Sequence, residues 1–122
     1  MIGVCIPAHD EQNLIAACLE SVFAARHPAL QGETVTVVLV LDSCQDATAS
    51  IATHWPVISL ASTARNVGTA RSLGAEYLLR QGSRWLAFTD ADSQVSPRWL
   101  VDQLSLKAEV VCGTVEVGDW RE

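Results

Sequence analysis

The chain switches between strand-like and helix-like hydrophobic spacing from its first residues onward. Residues 2–8 are a short apolar run of buried-strand character that reaches Pro7 and Ala8. Asp10 or Glu11 is placed to open a helix, because a carboxylate suits the exposed amides and positive dipole end of a first turn. Leu14, Ile15, Cys18, Leu19, Val22 and Phe23 make that helix's apolar stripe, and Pro28 lies beyond its end. Residues 34–41 are the clearest strand. They are β-branched and apolar on both faces, which suits the middle of a parallel sheet covered by helices on each side.

A turn over 42–46 and a short helix over 47–53 follow, with Asp46 placed to cap that helix. A third strand is predicted over 57–60, and a loop of small and polar residues over 61–68. Helical spacing returns over 69–80 at Ala70, Leu73, Gly74, Tyr77 and Leu78, and Gly82 marks the exit. Then come a fourth strand over 84–89, a turn over 90–95, a helix start at Ser96-Pro97 and a fifth strand over 109–117. Alternation of this kind predicts an α/β domain with a largely parallel sheet. Ligands of such sheets bind beyond the carboxyl ends of the strands. Here those ends carry Pro7-Ala8-His9-Asp10-Glu11, Asp42-Ser43 and Thr89-Asp90-Ala91-Asp92-Ser93, so polar chemistry is expected along one sheet edge.

With 122 residues, 49% of them hydrophobic and 18% charged, the sequence reads as one globular domain over 1–122. The longest apolar run, 35–41, is well short of the roughly 20 residues of a membrane-spanning helix. No basic region precedes an apolar stretch at the start, so no secretory signal is expected and a cytoplasmic location is. The net charge of -6 offers no basic patch for nucleic-acid phosphates. An acidic protein with an anionic ligand needs a cation between them. Cys5, Cys18, Cys44 and Cys112 lack metal-site spacing and are expected to be free thiols, with no zinc site built with His9, His27 or His54.

Asp90-Ala91-Asp92 is the strongest local signal. Two carboxylates one residue apart after an apolar strand can present oxygens to one hard cation, Mn2+ or Mg2+, and leave positions open for phosphate. The bland alternative is a solvated turn, where Asp is common. An EF-hand reading fails, because Val95 and Val101 stand where Gly and Glu are required. A haloacid-dehalogenase-like nucleophile is disfavoured by Gln94, and a glycosidase pair needs carboxylates from separate elements. In the second cluster, Arg65 to Arg71, Gly68 is expected to let the backbone turn into a helix whose amides receive an anion. Arg71 opposes the dipole of that helix, which points to an anionic ligand or an ion pair with Asp90 or Asp92. Asp42 could accept hydrogen bonds from a base or ribose, and His9 could offer a flat face to a nucleobase.

In order, these pieces resemble the family 2 glycosyltransferases. Pro7-Ala8-His9-Asp10-Glu11 is similar to the family's Pro-x-x-Asn-Glu element. Leu41 to Thr48 is similar to Asp-Asp-Gly-Ser-Thr-Asp-x-Thr, with Leu41 at the first acidic position. Asn66 to Arg71 is similar to a shortened Asn-x-Gly-x-x-x-Ala-Arg, and Asp90-Ala91-Asp92 to Asp-x-Asp. The resemblance implies a Rossmann-like, three-layer α/β/α GT-A nucleotide-diphospho-sugar transferase fold, truncated before the acceptor-binding half. It implies nucleotide contacts from Pro7, Ala8, His9, Glu11, Asp42, Asn66, Gly68, Arg71, Asp90 and Ala91, and a divalent metal on Asp92 and Asp90. A nucleotide-diphosphate sugar, with UDP-sugars favoured, would be the donor to an unknown acceptor. No catalytic base is identified, since Glu116 and Asp119 lie too close to the metal motif. The resemblance leaves room for a homodimer covering exposed apolar surface, and for peripheral membrane association through the acceptor. Two alternatives stand beside it. One is a nucleotide-binding fragment that needs a partner chain. The other is a sugar-nucleotide pyrophosphorylase, whose Gly-rich loop is missing from residues 7–12.

Overall fold

Apolar residues on both faces of a strand require a layer of helices on each side, and the chain builds both. The structure, a computed structural model, describes residues 1–106. Strand β1 (Ile2–Ala8) leads to helix α1 (Ile15–Ala24), a 3-10 turn at Pro28–Leu30 and strand β2 (Val35–Asp42). Helix α2 (Thr48–Ala52), strand β3 (Ile58–Ser62), helix α3 (Val67–Arg80), strand β4 (Trp85–Phe88) and helix α4 (Trp99–Ser105) complete it. The strand predicted over 109–117, and Cys112 with it, lie outside the described residues.

The sheet order is β3-β2-β1-β4, with all three pairings parallel. Both inner strands are buried, and all seven residues of β1 are. Side chains alternate across the pleat. Ile2, Val4, Ile6, Ala8, Val37 and Leu39 join Ile15, Leu19 and Val22 of α1, Ala52 of α2 and Leu100 of α4 in one core. Cys5, Val38 and Val40 face the other way, onto Ala70 and Leu78 of α3. The result is three layers, with α3 alone on one side among the described residues. It lies close because Gly74 carries no side chain: a Cβ there would sit 2.3 Å from Cys5 Sγ and 3.1 Å from Val40 Cγ2.

Several boundaries differ from expectation, each for a local reason. α1 begins at Ile15 rather than at Asp10 or Glu11, because Asp10 has φ 49°, a left-handed conformation outside any helix. Its carboxylate instead accepts the N–H groups of Gln45 (2.7 Å) and Asp46 (3.3 Å), tying the loop after β1 to the loop after β2. α3 begins two residues earlier than its apolar spacing suggested, because the Asn66 side chain caps it by accepting the Thr69 N–H at 2.9 Å. β3 runs on to Ser62, into the segment expected as loop. α4 starts at Trp99, and Ser96 contributes its carbonyl to the Trp99 N–H rather than a hydroxyl cap. Asp46 does bind the start of α2, accepting the Thr48 N–H at 2.9 Å. Gly82, at φ 93°, ends α3 as expected.

Candidate functional site

The order β3-β2-β1-β4 places a switch point beside β1, where successive connections leave in opposite directions along the sheet. A cleft of about 510 Å³ opens there, at the carboxyl ends of the strands. Pro7, Ala8 and His9 come from the end of β1, with Glu11 and Leu14 from the loop behind it. Asp42 ends β2, and Arg65, Asn66, Val67 and Ala70 form the wall at the start of α3. Asp90, Ala91 and Asp92 close the far side after β4.

Nine of the eleven residues expected at the site therefore line one cleft. Gly68 and Arg71 do not. Gly68 sits in the first turn of α3, and the left-handed residue that turns the chain into this helix is Arg65, at φ 51°. The freedom attributed to Gly68 is exercised by an arginine. That arginine is held in place because Asp42 Oδ1 accepts the Arg65 N–H at 2.9 Å and Oδ2 accepts the Asn66 N–H at 2.8 Å. Asp42 is 5% exposed and also takes the Ser43 hydroxyl. Burial pushes its carboxyl up, but the hydrogen bonds from Arg65, Asn66, Ser43 and Ser62 together outweigh burial and hold it below the usual carboxylate range. The N–H groups of Arg65, Asn66 and Thr69 at this turn are thus taken by the chain's own Asp42 and Asn66 side chains.

Arg71 lies one turn further along α3 and pairs with Asp90, Nη2 to Oδ1 at 3.1 Å. The ion-pair reading of this arginine is the one realised. From the opposite side, the Cys18 thiol donates to the Asp90 carbonyl at 3.5 Å, and the Ser93 N–H donates to that same carbonyl at 3.0 Å. Burial pushes the Cys18 thiol up to about 12, and the charges of Asp92, Asp90 and Glu11 push it the same way. Three carboxylates from two loops therefore converge over one buried sulfur. His9 Nδ1 lies 2.8 Å from the Asp42 carbonyl, which pins the imidazole to the neighbouring strand end while its ring borders the cleft.

Leu14, Arg65, Val67 and Ala70 also line the cleft, though none of them was expected to contact the ligand. Leu14 was expected in the apolar stripe of α1. The delayed start of that helix leaves it 43% exposed at the cleft, which Val67, 46% exposed, also lines. The signal that could have found them is the Asn cap at position 66, which moves Val67 and Ala70 to the start of the helix facing the strand ends.

Among the described residues, no group of three or more His, Cys, Asp and Glu side chains is arranged to hold a metal by itself. The donor set does suit a hard cation shared with a ligand. Magnesium-like ions are commonly held by one or two carboxylates plus phosphate oxygens, and Asp90 and Asp92 border the same cleft.

A family description, "Glycosyl transferase family 2", matches residues 3–121. No curated protein matches the chain. Among solved structures, residues 1–349 of S. aureus TarS superpose with a TM-score of 0.70 at 19% identity, over 85% of this chain and 31% of that one. Mannosyltransferase PcManGT from Pyrobaculum calidifontis, solved with GDP-Man and Mn2+, gives 0.61 at 22% identity over 83% and 32%. Glucosyl-3-phosphoglycerate synthase from Mycobacterium tuberculosis, solved with Mn2+, UDP and phosphoglyceric acid, gives 0.60 at 24% identity over 85% and 38%. The chain spans about a third of the length of these structures.

Proposed function

The chain belongs to the family 2 glycosyltransferases and has their GT-A fold, and from that premise we propose that its cleft binds the nucleotide diphosphate of an activated sugar. The observation that carries this reading is the convergence of the β1, β2 and β4 tips, with Asp90 and Asp92, on one cleft of about 510 Å³. A cavity of that size is in the range of small-molecule sites. Its chemistry is divided in a way that suits such a ligand. Pro7, Ala8, Leu14, Val67 and Ala70 give an apolar wall for a base or ribose, while Glu11, Asp90 and Asp92 give an acidic end. TarS has been solved with UDP and with UDP-GlcNAc, and the mannosyltransferase with GDP-Man and Mn2+. These relatives support a nucleotide sugar as the ligand class, with a UDP-sugar as our first choice.

In this reading Asp92 holds a divalent cation directly, and Asp90, already bonded to Arg71 through Oδ1, helps orient it. When bound, such a cation supplies charge neutralisation for a departing diphosphate. The protein's own part is to fix the ligand. His9, braced on the Asp42 carbonyl, and the Arg65–Asn66 turn, braced on the Asp42 carboxylate, form rigid edges around it. Transfer of a hexose to an acceptor is part of the same proposal.

The test is calorimetric titration of UDP, GDP and UDP-sugars into the protein with Mn2+, with Mg2+ and with chelator, repeated on Asp92→Ala. We expect metal-dependent nucleotide binding that the substitution weakens by on the order of a hundredfold or more, as for loss of a charged anchor. Nucleotide binding of equal strength in chelator, or unchanged in Asp92→Ala, would remove the proposal.

A further inference from the structure

Arg71 was expected to touch the nucleotide, yet it is absent from the cleft lining and borders a separate shallow surface with Ser72, Ala75 and Phe88. It reaches Asp90 from behind. Its guanidinium, 37% exposed, bonds one oxygen of a carboxylate that is 28% exposed. The Asp90 main chain is separately fixed, its carbonyl taking both the Ser93 N–H and the Cys18 thiol. Arg71 therefore adds nothing needed to place the backbone of this loop. It sets the orientation and net charge of a single carboxylate at the edge of the acidic end. Because α3 starts at Val67, Arg71 lies past its first turn, where the helix dipole expected to oppose it has largely faded.

We propose that Arg71 is a positioning residue that offsets Asp90, so that the acidic end does not retain a bare divalent ion and takes one up together with a diphosphate. The inference rests on the donor-site reading above. Two observations carry it. Among the described residues there is no protein-only metal group, so the carboxylates need further donors. And one of the two candidate carboxylates already has a guanidinium at 3.1 Å, which repels an arriving dication and competes for the same oxygen. A diphosphate reverses both conditions: it brings oxygen donors, and its negative charge is attracted to cation and guanidinium alike. Linkage then makes the effect reciprocal, with the metal raising nucleotide affinity by the factor by which nucleotide raises metal affinity.

The experiment follows free Mn2+ by its electron paramagnetic resonance signal during titration of the full 122-residue chain, with and without UDP. Wild type, Arg71→Met, Arg71→Gln and Arg71→Lys are compared, with circular dichroism as the check on folding. Without UDP, wild type and Arg71→Lys should leave Mn2+ largely free, while the two neutral variants should bind it on the order of tenfold more tightly, as expected when one repelling charge is removed near a dication. The gain in Mn2+ affinity on adding UDP should correspondingly shrink in the neutral variants. A purely structural arginine would not raise metal affinity when lost. Equal bare-Mn2+ binding by wild type and the folded neutral variants, with UDP-dependent binding intact, overturns the role of Arg71 alone. Absence of Mn2+ and UDP binding in every protein overturns the donor-site reading and this inference with it.

Discussion

Asp42 offers the sharpest test of how this cleft is built, because ligand contact and loop bracing predict different results in the absence of ligand. Its two oxygens accept the N–H groups of Arg65 at 2.9 Å and Asn66 at 2.8 Å, and the residue is 5% exposed. These bonds hold Arg65 at φ 51° and launch α3 from Asn66. Hydrogen bonds to a charged group contribute about 1.5–3 kcal/mol each. Asp42→Asn keeps one acceptor oxygen but turns an NH2 group toward the second N–H, so we expect a loss of roughly 2–3 kcal/mol. Asp42→Ala loses both bonds, and water replaces part of them at this loop, so roughly 3–4 kcal/mol is expected. A domain with a total stability of about 5–15 kcal/mol should still fold, with its melting temperature lowered by roughly 10 °C.

The pH dependence follows from the same bonds. The Asp42 carboxyl sits below its usual range when folded, so its contribution is fully present above the unfolded carboxylate value near 3.9 and is lost as pH falls through the folded value. Asn mimics the protonated acid. The gap between wild type and Asp42→Asn should therefore be constant between about pH 5 and 7 and shrink below about pH 4. Urea denaturation of the ligand-free protein, followed by circular dichroism at several pH values, measures this. An Asp42→Asn protein within about 0.5 kcal/mol of wild type at pH 7 would refute the bracing role and leave Asp42 as a ligand group only.

Other consequences are as direct. Gly74→Ala should destabilise by about 2–3 kcal/mol, since its Cβ would lie 2.3 Å from Cys5 Sγ, and the double substitution with Cys5→Ala should recover part of that loss in urea melts. The Arg84 hydrogen bonds, helped by the N-terminal amine and opposed by burial, lower Glu33 to about 2. Its stabilisation is then present above about pH 4.5 and lost toward pH 2, so the gap in urea midpoint between wild type and Glu33→Gln should be constant from pH 6 to about pH 5 and narrow from about pH 4.5 toward pH 2. Iodoacetamide at pH 8 should label the part-exposed Cys44 before the buried Cys5 and Cys18, whose thiols burial pushes to about 11 and about 12; mass spectrometry that finds Cys18 labelled first would contradict this.

Much of this was legible along the chain because hydrophobic spacing reports on layers. The doubly apolar run over 34–41 gave an inner strand, the strand–helix alternation gave a parallel sheet, and the strand-end rule gave the edge where nine expected residues meet. Helix starts were harder to read, because they depend on single side-chain bonds that periodicity does not record. Asn66 capping Thr69 moved the start of α3, and Asp10 bonding Gln45 and Asp46 removed the first turn expected of α1. Both shifts changed the site, exposing Leu14 and Val67 to the cleft. Several residues expected to face ligand also have partners within the chain: Asp42 with the Arg65–Asn66 amides, Asn66 with the Thr69 amide, and Arg71 with Asp90. Composition cannot distinguish a polar group aimed at a ligand from one that shapes the wall beside it.

That distinction bears on how an acidic domain can bind an acidic ligand. The chain has a net charge of -6, and the cleft itself gathers Glu11, Asp42, Asp90 and Asp92. Left unbalanced, four carboxylates around one opening would repel a diphosphate. Asp42 is offset by backbone N–H dipoles and Asp90 by the Arg71 guanidinium. Glu11 and Asp92 line the same opening, where a divalent cation would meet them, and Arg65 lines it too. Lowering salt should therefore strengthen UDP binding with Mn2+ present, through attraction of the ligand to the cation. In chelator it should weaken whatever binding remains, through unscreened repulsion from the carboxylates. A salt dependence of the same sign in both conditions would mean that the acidic end does not govern the ligand, and that the apolar wall alone holds it.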